Sequence, residues 1–271
     1  MPELPEVRTV VKHMSKRLKG LEVKSIDVRL DKILKGISKT EFEKTLINKK
    51  IIDVDNKGKW IIIHFEDNNN VIVHLRLEGK FRTNHVDGIN KKHDHIIFEF
   101  KDNSKLYFND TRQFGTFHLL GDNYLNEKPI SKLGRELEDL DLEWLFKKMS
   151  KKRIPIKSSM LDQEIVIGLG NIYVNEALWK VKLNPKTQSN QVSKYKLKEL
   201  IKESYEIMED SYRLGGSSIA TYSSLDGIKG KYQEKLEVHG KVKKPCSRCE
   251  KPIMKIKVGG RGTYYCTNCQ K

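Results

Sequence analysis

Four cysteines stand within the last 26 residues, as PCSRC at 245–249 and YCTNC at 265–269, with sixteen residues between the two pairs. Two C-x-x-C knuckles at this separation offer four thiolates to one tetrahedral ion, and the segment between them is long enough to fold back as a hairpin. Four sulfur ligands leave zinc no open coordination position. The spacing therefore predicts one structural zinc ion held by Cys246, Cys249, Cys266 and Cys269, with no organic cofactor, and a small metal-knit C-terminal ribbon. Between the knuckles, KVGGRGTYYC surrounds Arg261 with Gly259, Gly260 and Gly262. Glycines accept the positive φ of a tight turn, so this stretch predicts a hairpin whose tip projects Arg261 away from the metal.

The remaining chain is long enough for about two further cores of ordinary size. Its apolar runs, such as Trp60-Ile61-Ile62-Ile63, fall far short of the ~20 residues that cross a bilayer. The N-terminus carries Glu3, Pro5 and Glu6 in place of a basic stretch followed by an apolar block, so no secretory signal is expected. A cytoplasmic protein that avoids membranes is the expectation. Charge narrows its partners. Residues 146–271 carry 26 Lys and Arg against 12 Asp and Glu, which places nearly all of the formal +16 in the C-terminal half. Such a surface attracts a polyanion through counterion release, whether nucleic acid or anionic lipid.

Periodicity divides the chain. Val7, Val10, Val11, Met14 and Leu18 recur at helical spacing and Gly20 is a stop signal, which predicts a helix from Pro2 to about Leu18. Short β-type runs follow at 23–30, 51–54, 59–65, 71–77, 95–100, 105–108 and 115–120, separated by turn formers such as Asn68-Asn69-Asn70. Helical spacing resumes at 142–149, 156–165, 171–181 and 192–214, the last with Leu197, Leu200, Ile201, Tyr205 and Met208 along one side. The prediction is an α+β chain: an N-terminal β-sandwich or barrel with its leading helix over 1–135, the sandwich being the expectation adopted, a helical domain over 136–237, and the cysteine ribbon over 238–271. The lysine-rich stretch 147–157 suits either a solvated face or a phosphate contact, and as a pure charge run the solvated face is preferred.

Several short stretches carry chemistry. MPELPEV suits a helix start, since proline and carboxylates both favour a first turn. Removal of Met1 would also leave Pro2 as a secondary amine, a nucleophile. GLGNIY at 168–173 places Gly168 and Gly170 before a helical pattern with Asn171 as an N-cap; lacking a full GxGxxG it reads first as an ordinary turn between helices, although free N–H groups at such a start also suit a phosphate. KHDH at 92–95 pairs His93 with His95, without further ligands nearby in sequence to make a metal site. TRQFG at 111–115, if extended, puts the cation Arg112 and the flat Phe114 on the same side; core packing would explain the phenylalanine, but a cation beside an exposed aromatic can also wedge into an opened base stack. Leu77 in HLRLEGK is a second apolar wedge candidate, or a core strand residue.

PELPEV, GKW at 58–60, HLRLEGK at 74–80, KHDH, TRQFGT, GLGNIYVNEALW at 168–179, GGSSI at 215–219 and the terminal CxxC, GRGT, CxxC, in this order, closely resemble bacterial formamidopyrimidine-DNA glycosylases over nearly the whole chain. The resemblance implies excision of oxidised purines, chiefly 8-oxoguanine and formamidopyrimidines, from double-stranded damaged DNA. Strand cleavage at the abasic site by β,δ-elimination would follow. It implies a monomeric, cytoplasmic, nucleoid-associated bacterial enzyme whose residues 136–237 form a helix-two-turn-helix DNA-binding domain and whose ribbon is a zinc finger. By the same resemblance Pro2 is the nucleophile, Glu3 the acid/base residue, Lys59 the proton donor in β-elimination and Arg261 the arginine of δ-elimination. His93, Arg112, Lys152 and Asn171 match DNA-contacting positions, and Leu77, Arg112 and Phe114 match the trio that fills the void left by a flipped base. The loop opening with Gly215, Gly216, Ser217 and Ser218 matches the one that covers the lesion. Position 77 is often methionine in the family, so Leu77 departs from it.

The chemistry agrees with the implied nucleophile. An α-amino group, with a pKa of about 8, is roughly a tenth unprotonated at neutral pH, whereas an ordinary lysine is far less so. Two other readings compete. The related endonuclease VIII group, which prefers oxidised pyrimidines, opens PEGPE where Leu4 here gives PELPE, and TRQFG also favours the purine enzyme. A noncatalytic zinc ribbon that binds DNA or RNA would explain charge and cysteines, but not Pro2, Glu3 and Lys59.

Overall fold

The computed structural model describes residues 2–83, 90–218 and 229–271. The chain divides into two compact units, residues Met1–Ser131 with Leu214–Gln233, and residues Lys132–Arg213 with Glu234–Lys271. No helix among the described residues is long and apolar enough to cross a membrane.

The first unit opens with α1, Leu4–Leu18, whose N-cap is Glu3. The proline in its first turn is Pro5, so Pro2 lies ahead of the helix and is not part of its start. Among the described residues eight strands follow: β1 Val23–Val28, β2 Ile51–Lys57, β3 Trp60–Phe65, β4 Asn70–His74, β5 Lys80–Arg82, β6 Asp94–Phe100, β7 Lys105–Asn109 and β8 Thr116–Leu120. They form two four-stranded antiparallel sheets in the orders β1-β6-β7-β5 and β2-β3-β4-β8. One continuous core joins them: Val7, Val10 and Met14 of α1 pack with Ile96, Phe98 and Phe108 of one sheet and with Ile61, Ile63, Val73 and Phe117 of the other. Phe108 meets Phe81 and Phe117 edge to face at ring separations of 5.3 and 4.8 Å, the arrangement that ring quadrupoles favour.

A helix absent from the sequence reading, α2 Lys39–Leu46, buries only Phe42 and Leu46. Two apolar residues make a faint periodic signal, but Ser38 followed by Glu41 carries the start pattern, and the Ser38 hydroxyl indeed accepts the Glu41 N–H. The segment after Arg213 returns to this unit, where Lys231 N–H donates to the Leu214 carbonyl and Tyr232 N–H to that of Gly216.

The second unit holds α3 Leu142–Met149, α4 Ile156–Met160, α5 Asn171–Lys180, α6 Lys194–Arg213 and the hairpin β9 Met254–Val258 with β10 Arg261–Tyr265. Helix α4 is half its expected length. The Gln163 side chain accounts for the stop: its amide donates to the Leu161 and Leu169 carbonyls and its oxygen accepts the Gly168 N–H, which fastens a turn where the helix would have continued. On α6 the buried stripe is Leu197, Leu200, Ser204, Met208 and Ser211, while Tyr205 is 37% exposed. Small serines win those positions because Ser204 bonds the Leu200 carbonyl and Ser211 meets the Tyr173 hydroxyl at 2.6 Å.

Candidate active site and nucleic-acid interface

In the first unit, Pro2 and Glu3 are buried immediately before α1. Glu6, 1% exposed, fastens Glu3. One of its carboxylate oxygens accepts the Glu3 N–H at 2.8 Å and the other the Ser217 N–H at 2.7 Å. Gly216, at φ +84°, lies so close that a Cβ would fall 2.9 Å from Glu6 Cγ, so the approach requires glycine. The first part of the predicted lesion loop is thereby tied to the start of α1. Ser218 completes the stem, its N–H donating to Gln233 Oε1 and its hydroxyl accepting the Gly230 N–H. Gly215 also has a positive φ, and the rest of that loop lies outside the described residues. In the sequence Glu6 reads only as a helix-dipole charge, and its place three residues after the N-cap is the signal for its second role.

Lys59 sits in the tight β2–β3 reversal, which Gly58 makes possible at φ +54°, and it is only 6% exposed. Next in the register, Trp60 packs edge-on against His74 at 4.7 Å. His74 Nδ1 accepts the Arg76 N–H at 2.9 Å, so the ring proton resides on Nε2. Burial, then the charges of Arg76 and Lys59, push this imidazole down to about 3, and it is neutral at physiological pH. The bond closes a turn in which Arg76 adopts φ +54°. Leu77 is therefore a half-buried turn residue and not a strand residue.

TRQFG also forms a turn instead of an extended run. Arg112 and Phe114 nevertheless meet, the guanidinium carbon 5.2 Å from the ring centroid, with Phe114 51% exposed. His93 is half-buried at the end of a short 3₁₀ turn, while the buried His95 donates from Nε2 to the Asp110 carbonyl at 2.8 Å.

In the second unit, Asn171 is the first residue of α5 and Gly170 its N-cap, one position earlier than expected. The Asn171 side chain is thus freed from capping. Its Nδ2 donates to the Gly262 carbonyl at 3.1 Å. The same carbonyl accepts from Lys157 Nζ at 3.1 Å, and that ammonium also donates to Thr263 Oγ1 at 2.7 Å. Lys157 is fully buried, which corrects the solvated-face reading at this position, whereas Lys147, Lys148 and Lys151 are exposed as expected. A lysine between Ile156 and the small residues Ser158-Ser159 was the available signal. Lys152 is half-buried and ion-paired with Asp162 at 3.3 Å. At the hairpin, Gly259 and Gly260 form the tip at φ +54° and +75°, and Arg261 is exposed on the strand just past it, opposite Val258.

The four cysteine sulfurs lie within 4.8 Å of one another, with Cys249–Cys266 at 3.4 Å and Cys246–Cys269 at 4.0 Å. Zinc–sulfur bonds of about 2.3 Å in a tetrahedron set sulfurs about 3.8 Å apart, so the cluster fits a structural metal ion. Trp179 Nε1 directs its N–H at Cys246 Sγ from 3.5 Å, and Val238 and Ile253 close the apolar side.

Comparison with known proteins matches this architecture in order. Residues 1–117 match the formamidopyrimidine-DNA glycosylase N-terminal domain, 133–223 the formamidopyrimidine-DNA glycosylase H2TH domain, and 243–271 a zinc finger found in FPG and IleRS. A formamidopyrimidine-DNA glycosylase of Mycoplasma mobile is 42% identical over 100% of this chain and 99% of its own. Among solved structures, Lactococcus lactis Fpg in complex with DNA containing N7-benzyl-Fapy-dG superposes with a TM-score of 0.92 at 38% identity, covering both chains fully. The same enzyme with abasic-site DNA gives 0.93 at 39%, again over both full chains. The two-sheet unit, the helical unit, the four-cysteine hairpin and full-length identity of this order leave one assignment: the chain belongs to the formamidopyrimidine-DNA glycosylase family of DNA-repair enzymes.

Proposed function

We propose that this chain is a bifunctional glycosylase and abasic-site lyase that binds double-stranded DNA as a monomer, excises oxidised purines and cuts the strand through a Schiff base on Pro2. The observation that carries this reading is the N-terminus: Pro2 stands outside the helix, beside a buried Glu3 whose backbone is fastened by Glu6. A proline required by the helix would be inside its first turn, where Pro5 already is. After removal of Met1, the Pro2 nitrogen lone pair attacks sugar C1′ and the glycosidic bond breaks, the base leaving with a proton. Glu3 is the acid/base group for that step and for opening the sugar. The resulting iminium acidifies the C2′ proton; its loss expels the 3′ phosphate, and a second proton loss expels the 5′ phosphate. Lys59 supplies a proton in the first elimination and Arg261 stabilises phosphate charge in the second.

DNA is held by His93, Arg112, Lys152 and Asn171, and Leu77, Arg112 and Phe114 fill the space vacated by the flipped base. The exposure of Phe114 supports the last role, since a core phenylalanine would be buried. The segment from Gly215 to Ser218 begins the loop over the lesion. The four cysteines hold zinc, which supplies no reaction chemistry but keeps the Arg261 hairpin folded. Borohydride reduction during turnover on an abasic-site duplex tests the mechanism: the adduct should map to the N-terminal peptide, and an adduct found only on a lysine refutes it.

A further inference from the structure

The loop that carries Arg112 and Phe114 is built around a residue for which the mechanism above has no use. Asp110 follows β7 and is fully buried. Its Oδ1 accepts the Arg112 N–H at 3.0 Å, and its Oδ2 accepts the N–H groups of Phe114 at 2.9 Å and Gly115 at 2.8 Å. Its backbone is fastened as well. The Asp110 N–H donates to the His93 carbonyl at 3.0 Å, and the Asp110 carbonyl accepts the His95 Nε2 proton at 2.8 Å and the Gln113 N–H at 3.2 Å. Gln113 is held at φ +58°, a conformation a non-glycine residue keeps only when its surroundings impose it. Gly115 leaves no slack either, because a Cβ there would lie 2.5 Å from Phe108 Cζ. One carboxylate thus satisfies three of the four N–H donors from Arg112 to Gly115, the fourth, that of Gln113, going to the Asp110 carbonyl, and Arg112 and Phe114 are left exposed with the guanidinium 5.2 Å from the ring.

We propose that Asp110 is a positioning residue that sets the Arg112–Phe114 wedge in its inserting geometry before DNA arrives. The proposal rests on the reading that this pair enters the duplex. Its physical basis is preorganisation: a five-residue loop ordered only on insertion would lose its backbone freedom at that moment, whereas this loop has lost it on folding. A carboxylate suits the task because both of its oxygens accept, and here they meet backbone donors alone. In Asp110→Asn one of the two oxygens becomes an NH2 group aimed at backbone N–H groups, so at least one donor loses its partner while side-chain volume is unchanged.

The test compares one abasic-site strand annealed and unannealed, since only the duplex has a stack to fill. Asp110→Asn should lower the ratio of duplex to single-strand cleavage about tenfold or more, as displacements near 1 Å in positioning groups do. General loss of fold would reduce both rates and leave the ratio, which overturns the proposal. Phe114→Ala is the companion variant. If it leaves the ratio unchanged, the wedge reading fails and takes the proposal with it. If Phe114→Ala lowers the ratio and Asp110→Asn does not, the proposal alone fails. In the double variant the aspartate change should add little, because it acts through the loop; full additivity also counts against it. Hydrogen exchange in the unmodified free protein supplies a readout that needs no variant. The amides of Arg112, Phe114 and Gly115 should be protected without DNA, and protection that arises only on adding DNA overturns preorganisation.

Discussion

Replacement of Glu176 tests how firmly the cysteine hairpin is rooted in the helical unit. Glu176 lies on α5 and is 4% exposed, and its carboxylate accepts the N–H groups of Glu237 at 2.7 Å, Val238 at 3.0 Å and His239 at 2.7 Å. Truncation to alanine strands all three donors. Val238 is fully buried and its N–H would bear the full penalty of about 2 kcal/mol, while water can partly replace the carboxylate at the half-buried Glu237 and His239 for about 1 kcal/mol each. Against this stands the cost of the charge itself: burial raises the carboxyl pKa above its usual 4.5, outweighing the opposite pull of the three N–H groups. A raised folded-state pKa means that the native state binds the proton more tightly than the unfolded chain does. The associated stability is present below the unfolded value and is lost as pH climbs through the folded one. At neutral pH the buried charge is therefore partly self-defeating, and Glu176→Ala should cost about 3 kcal/mol. Glu176→Gln, which keeps one acceptor and carries no charge, should cost about 1–2 kcal/mol at pH 7 and more as pH falls towards 4.5, where the parent gains. Urea unfolding followed by Trp179 fluorescence measures both, because this ring packs on the cysteine cluster. A loss below about 1 kcal/mol for the alanine variant, or a glutamine deficit that shrinks on acidification, would refute the reasoning.

Other consequences can be measured directly. Cys249→Ser should lower zinc content and DNA affinity together, since three thiolates leave the site incomplete; full metal occupancy with unchanged binding argues against a structural role. Glu3→Gln should abolish release of 8-oxoguanine far more than cleavage of a preformed abasic site, as compared in single-turnover assays at saturating enzyme, and an equal fall in both would place Glu3 in a shared step. His74, held near 3 in place of 6.5, favours the fold fully above pH 6.5 and progressively less as pH drops towards 3, a swing on the order of 4–5 kcal/mol at most. The unfolding midpoint should fall across that window, and His74→Gln should flatten the slope; an imidazole that titrates near 6.5 by NMR would overturn it.

Spacing alone determined the features whose physics is local. Two C-x-x-C pairs sixteen residues apart suit one four-sulfur metal cluster. Glycines before and after Arg261 demand a turn, and the apolar rhythms of α1, α3 and α6 demand helices, because backbone sterics and solvent act on neighbours along the chain. The order of the motifs likewise carried the family. What the linear pattern withheld depends on partners far away in sequence. Lys157 looks like one more solvated lysine until the hairpin at Gly262 and Thr263, more than a hundred residues later, supplies its acceptors. Asn171 looks like an N-cap, yet Gly170 takes that place and leaves the side-chain amide to reach Gly262. Leu77 reads as a strand residue and Phe114 as part of an extended approach to one, because alternation cannot register an imidazole or a carboxylate turning the backbone beneath them. Glu6 shows the division most plainly. Its distance from Glu3 announces a helix start, but only the returning chain at Ser217 makes it a link between the start of α1 and the Gly215–Ser218 segment, since that bond exists once folding has closed a separation of 211 residues.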